Sequence, residues 1–254
     1  MCSSDLVGIF AHQVLTVPGN KTAIMVTRGN NPEHAKPEDP GALKIYGFND
    51  GVLSNLASIQ RGNGLGFGPR HFDIHPAEPW LFLSVERQSE LHVYRLNGDG
   101  TLPGDAMFIK NALADRANNV HTQMAGAIHV HPNGRFVTMT NRNSGTEEVG
   151  GKKVFKGGEN NVATFSIDQA TGEPTLIQNI EAQTIHLRTF AIDPSGRLLI
   201  AASILPMAMH DGSTMPAALV LYRIGADGRL TFARKYDVDT GRFMQFWTGI
   251  VTLP

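Results

Sequence analysis

Four prolines, Pro18, Pro76, Pro132 and Pro194, each close a short apolar strand, and they stand 58, 56 and 62 residues apart. The strands that they close read VLTV, FDIH, IHVH and FAID. Three of the turns carry a glycine one or two places later: Gly19, Gly134 and Gly196. Proline presets the first turn dihedral and glycine accepts the positive one that follows. A second strand leaves each turn: TAIMVT (22–27), WLFLSV (80–85), RFVTMT (135–140) and RLLIAA (197–202). A third follows: LKIYGF (43–48), LHVYRL (91–96), VATFSI (162–167) and LVLYRI (219–224). Each third strand ends in a turn marked by Gly or Asp, with room for a short fourth strand. Four strands repeated at this period describe an all-β fold, a β-propeller of four-stranded antiparallel blades, better than a solenoid coil.

Blades of one chain differ mostly in their loops. Segments 29–41, 143–160 and 204–216 read as surface insertions between second and third strands, and 112–124 has room for a helical turn. The tail FMQFWTGIVTLP reads as a closing strand. The segment Glu147–Asn160 reads as a solvated face. Residues 1–6 are set aside as a possible non-native scar, and 7–254 form a single, partial propeller domain whose N-terminal blades are missing. Propellers carry four to eight blades, so four to five here make an incomplete ring.

Composition excludes several partners. With 22 basic and 23 acidic side chains the formal charge is −1, so nothing biases the chain toward nucleic acid or membrane. No apolar run reaches the roughly 20 residues of a spanning helix. The one cysteine, Cys2, cannot form an intramolecular disulfide.

The repeat also locates a polar rim. The start of each first strand and the end of each second strand share one edge of an antiparallel blade. Six residues before each proline stand His12, Arg70, Gly126 and Arg188; ten residues after stand Arg28, Glu86, Arg142 and Ile204. These pairs are approximate cross-strand neighbours. Six of the eight are charged or histidine, although the strand interiors are apolar. Two readings fit: a salt-bridge network that ties blades together, or a mouth for a small anion around one carboxylate. Arginine's planar fork suits carboxylate or phosphate oxygens. Glu86 beside Arg70 and Arg142 stays ionised, able to orient or deprotonate water or to hold the arginines. His12 is then the proton shuttle near neutral pH.

Other motifs carry less. His129 and His131 lie two apart on one strand face, and His71 and His75 four apart, but no carboxylate or cysteine cluster completes a metal site, so no metal is expected. The run Gly62, Gly64, Gly66, Gly68 lacks the Gly-Lys-Ser/Thr of a phosphate loop and opens a strand. No Gly-x-Ser-x-Gly elbow is present.

The segments GPRHFDIHP, LFLSVERQSELHVYRL, IHVHPNGRFVTMTNR and RTFAIDPSGRLLIAAS resemble the seven-bladed propeller lactonases. That family includes propeller-type 6-phosphogluconolactonases and the carboxy-cis,cis-muconate cyclase. The resemblance runs over 8–254, is loosest in the first repeat, and extends to QFWTGIVTLP as a family-like C-terminus. It implies a ring with two or three N-terminal blades absent here. It implies a catalytic quartet of His12 (in AHQV), Arg70 (in GPRH), Glu86 (in SVER) and Arg142 (in TNRN); Arg28, His71 and Arg188 beside them are read as binding substrate. The fourth repeat departs from the family pattern at Thr189 and Ile204. The resemblance implies a lactonase acting on a small anionic sugar lactone, 6-phosphogluconolactone first, with no cofactor and a cytoplasmic location. A lactone-forming cycloisomerase and a non-catalytic propeller that binds a ligand or protein are the alternatives.

Overall fold

The computed structural model describes residues 7–33, 35–118, 120 and 122–251. Four four-stranded antiparallel sheets follow one another along the chain. The first blade holds β1 (Ala11–Thr16), β2 (Thr22–Thr27), β3 (Ala42–Asn49) and β4 (Val52–Ile59). The second holds β5 (Pro69–Ile74), β6 (Trp80–Val85), β7 (Glu90–Arg95) and β8 (Phe108–Asn111). The third uses β9 (Gln123–Val130), β10 (Phe136–Asn143), β13 (Asn161–Ile167) and β14 (Pro174–Glu181), with the hairpin β11 (Thr146–Val149) and β12 (Lys152–Phe155) inserted. The fourth uses β15 (Leu187–Ile192), β16 (Leu198–Ser203), β19 (Ala217–Ile224) and β20 (Leu230–Val238), with the two-residue strands β17 (Met207–Ala208) and β18 (Thr214–Met215) inserted.

The core lies between blades. One apolar cluster joins the first two blades through Ile24, Val26, Leu43, Phe72, Leu81 and Leu83. A second joins the second and third through Trp80, Phe82, Val93, Val137 and Phe165. Alternation along β6 explains the arrangement: Leu81, Leu83 and Val85 enter one cluster, Trp80 and Phe82 the other. A strand buried on both faces reads as a continuous apolar run, as WLFLSV does.

Two sets of glycines latch neighbouring blades at the end away from the rim. His75 accepts at Nδ1 from the Glu78 N–H (2.8 Å), so its proton sits on Nε2, which donates to the Gly134 carbonyl of the next blade (2.8 Å). His131 repeats this contact to Gly196 (2.8 Å). Both histidines tie one blade to the next. The turns between third and fourth strands carry Gly51, Gly100, Gly172 and Gly228, with φ of +79°, +79°, +79° and +80°. Thr22, Trp80 and Phe136 of the preceding blades seat against the last three.

A Cβ on Gly134 would stand 2.4 Å from the His75 ring, at a φ of +71°. Gly134→Ala is expected to destabilise the chain by about 2–5 kcal/mol, from left-handed strain plus overpacking. Gly51→Ala meets nothing within 4 Å and carries only the strain, about 1–2 kcal/mol. Urea midpoints of the two variants check this; equal losses would refute the latch.

Several expectations need correction. The fourth strands are not uniformly short: β4, β14 and β20 have 8, 8 and 9 residues. Segments 143–160 and 204–216 form hairpins rather than plain loops. Glu147–Asn160 is not simply a solvated face, because its end is buried. The Glu159 carboxylate accepts from the Ala114 and Asp115 N–H groups and from Asn118 and Asn161 (2.7–2.9 Å). That contact pins the connection containing the short 3-10 turn Arg116–Asn118. The described part of the tail forms no strand. Gln245 ties it to Ser203 and Ile204, and Trp247 to Ile250 run beside the inner strands.

Candidate active site

A repeated β-bulge presents the rim. In β1, β5 and β15 the register slips between Ala11 and Gln13, Pro69 and His71, and Leu187 and Thr189. The residues left over are His12, Arg70 and Arg188. A bulge leaves one residue out of the ladder and re-aims its side chain. Simple alternation would have put these residues on the same footing as their apolar neighbours.

Arg70 donates to Glu86 Oε2 (3.1 Å), and Arg142 and Arg28 donate to Oε1 (2.9 and 3.3 Å). The Arg70, Glu86 and Arg142 side chains are at most 4% exposed, whereas Arg28 is 21% exposed. Burial pushes the Glu86 carboxyl up, but the three guanidiniums together hold it below the usual carboxylate value. Three guanidinium contacts share its two oxygens. Burial, and then Arg70, lowers the Arg142 guanidinium to about 9, which leaves it charged at pH 7.

Histidine caps each buried arginine. Arg70 donates to His12 Nε2 (3.0 Å), and Arg142 to His186 Nε2 (2.5 Å). Burial, then Arg70, pushes His12 down to about 4; burial, then Arg142, pushes His186 down to about 3. His12 is therefore neutral at pH 7. His71 packs edge-on against His12 (4.7 Å between centroids) and is pushed to about 2 by burial, then Arg70. His12, His71 and His129 line a cavity of about 420 Å³ with Phe190 and Trp247. Arg188 makes no ion pair among the described residues; its guanidinium lies over Phe246, 4.6 Å from the ring centre.

The structure thus brings Arg28, Arg70, Glu86, Arg142 and His12 into direct contact, with His71 adjoining. Arg188 is near enough to act on the charges of His12 and Glu86 without touching them. Ile204 is a buried apolar residue. Sequence reasoning missed His186. Its backbone has φ +64°, unusual for histidine, and its N–H donates to Asn160 Oδ1 (2.7 Å). The available signal was its repeat position: Phe10, with φ +60°, stands two residues before His12 as His186 stands two before Arg188.

Four four-stranded blades and a rim of arginines around one carboxylate define a β-propeller with a positively charged mouth. The family model described as "Lactonase, 7-bladed beta-propeller" matches residues 39–204, and the chain belongs to that family. The chain is 27% identical over 179 residues to the 6-phosphogluconolactonase of Bacillus subtilis (strain 168), covering 69% of this chain and 46% of that protein. It is 27% identical over 204 residues to that of Yersinia pestis (strain Pestoides F), covering 79% and 51%. The chain spans about half the length of the curated relatives it matches. Solved structures share the fold. A Lactobacillus plantarum protein has TM-score 0.66 at 21% identity, over 89% of this chain and 54% of that one. The Pseudomonas aeruginosa periplasmic gluconolactonase PpgL has TM-score 0.61 at 18% identity, over 92% and 56%. Among the described residues no helix is long and apolar enough to cross a membrane.

Proposed function

We propose that this rim opens a small anionic sugar lactone, 6-phosphogluconolactone or a close relative, by hydrolysis. The observation that carries this reading is charge: Arg28, Arg70, Arg142 and Arg188 surround one carboxylate, Glu86, so the mouth keeps an excess of positive charge. The enclosed Nε groups of Arg70 and Arg142 and the Nδ1 of His12 also have no hydrogen-bond partner among the described residues. The name shared by the curated relatives supports the same substrate class.

Arg28 and Arg188, the more accessible pair, hold the phosphate or carboxylate. Arg70 and Arg142, fixed by Glu86, face the developing oxyanion. Water adds to the lactone carbonyl and loses one proton to the neutral His12 imidazole, at Nε2 once Arg70 turns to the oxyanion. The carbonyl–ring oxygen bond then breaks, and the ring oxygen takes that proton as the open acid forms. Glu86 keeps its contacts to Arg28 and Arg142 throughout.

The test is acid release from 6-phosphoglucono-1,5-lactone by the purified chain, above the uncatalysed rate. Arg188→Ala is expected to raise KM by about 10- to 100-fold with little change in kcat, the value of one charge-assisted contact. Turnover of a carboxymuconate with no acceleration of lactone opening would replace this reading with the cycloisomerase. Activity on neither would leave a binding module.

A further inference from the structure

The site is built with a symmetry that the quartet of His12, Arg70, Glu86 and Arg142 does not use. On each side of Glu86 stands a buried arginine, and on the far side of each arginine stands a histidine, His12 on one flank and His186 on the other. A guanidinium can only donate, so both Nε2 atoms accept and both rings carry their proton on Nδ1. His75 and His131, whose Nδ1 atoms accept backbone N–H groups, hold the opposite tautomer.

The two flanks differ in access. His12 is stacked near Phe10 and wedged against His71, and its Nδ1 is enclosed without a partner. Both rings are partly buried, but the His186 Nδ1, unlike that of His12, is not an enclosed and unpartnered atom. Two hydrogen bonds hold the residue, Arg142 on the ring Nε2 and Asn160 on the backbone N–H, in a left-handed conformation ahead of β15. Strain of this kind at a bulky residue persists only where the surroundings over-determine it.

We infer that His186 is a further catalytic residue, a neutral imidazole whose Nδ1–H donates to the substrate oxygen that becomes the oxyanion. The inference rests on the lactonase reading and deepens it. A neutral imidazole is a suitable electrophile because donating costs it no change of charge. Arg142 fixes both the tautomer and the direction of the donor. His186 thus works as a donor, while His12, enclosed on the other flank, meets the water proton only when Arg70 moves.

The test has an arm that needs no turnover. In the chain with 15N-labelled imidazoles, His186 is expected to resonate as the Nδ1–H tautomer, with His75 and His131 as internal Nε2–H references. Its Nδ1–H signal is expected to shift when 6-phosphogluconate, the stable product, is added. An Nε2–H tautomer, or a signal that 6-phosphogluconate leaves unmoved, overturns the inference whether or not the chain hydrolyses lactone. Absence of wild-type hydrolysis refutes the lactonase reading instead. In the kinetic arm, His186→Ala is expected to lower kcat by about 100- to 1,000-fold, the loss of one oxyanion donor. Asparagine places an amide N–H near the Nδ1 position and tolerates positive φ, so His186→Asn should recover kcat to within about tenfold of wild type. Asparagine no better than alanine, or loss in His186→Asn of a pH–rate limb near neutrality, would mark His186 as a base and overturn the inference.

Discussion

Glu86→Gln is expected to cost about 3–5 kcal/mol of folding stability and to abolish lactone opening. The side chain is 2% exposed and is the shared counter-ion of Arg70 and Arg142, themselves almost fully buried, and of Arg28. Glutamine keeps the shape and removes the charge, so two guanidiniums are left buried without a counter-ion. Such a loss exceeds what exposed ion pairs are worth, because no solvent screens these groups. Denaturant midpoints and a lactone assay on the same preparation measure both effects. A variant within 1 kcal/mol of wild type would show that the cluster is not electrostatically closed. A stable variant that still hydrolyses lactone would remove Glu86 from the site.

Acidification below pH 6.5 is the second large effect. His12, His71 and His186 are held near 4, 2 and 3 in the folded chain, against 6.5 when unfolded. The folded values are depressed, so below pH 6.5 the unfolded chain binds more protons than the folded one. Stability therefore falls as pH drops, from 6.5 down through each folded value in turn. Each histidine contributes up to about 1.4 kcal/mol per pH unit; with partial exposure discounted, pH 5 should remove about 3–6 kcal/mol in all. Glu86 adds its own loss only later, below the ordinary carboxylate range, as pH falls through its depressed value. Urea midpoints from pH 7.5 to 4.5 check the window. A midpoint constant to pH 5 would mean that the imidazoles are free to charge in the folded chain.

The lactone-opening reading and the salt-bridge reading of the rim are not exclusive. The Arg70–Glu86–Arg142 contacts bridge the second and third blades, and Arg28 adds the first. The site is therefore part of the joint between blades, and what disturbs the chemistry disturbs the joint. Arg188 and His186 stand outside those ion pairs to Glu86. For that reason their variants report on substrate more cleanly than those of Glu86.

The first three strands of each repeat were legible in the chain, because proline turns and period-two apolar runs are local signals. Strands β2 and β6 run over 22–27 and 80–85, the bounds read from TAIMVT and WLFLSV. The rim was legible too, since residues at one repeat position share one edge. What the chain could not reveal is where a bulge re-aims a side chain. His12, Arg70 and Arg188 owe their direction to a register slip that no local pattern marks. His186 was hidden for a related reason, since nothing in QTIHLRTF announces a left-handed histidine; Arg142 and Asn160 impose it from the neighbouring blade. Charge states were decided in the same way. The sequence by itself determined four blades and a ring of polar positions. Only the tertiary structure decided that three arginines would be spent on one buried carboxylate and that the histidines beside them would be neutral, because burial and proximity, which set both, are properties of the packed blades.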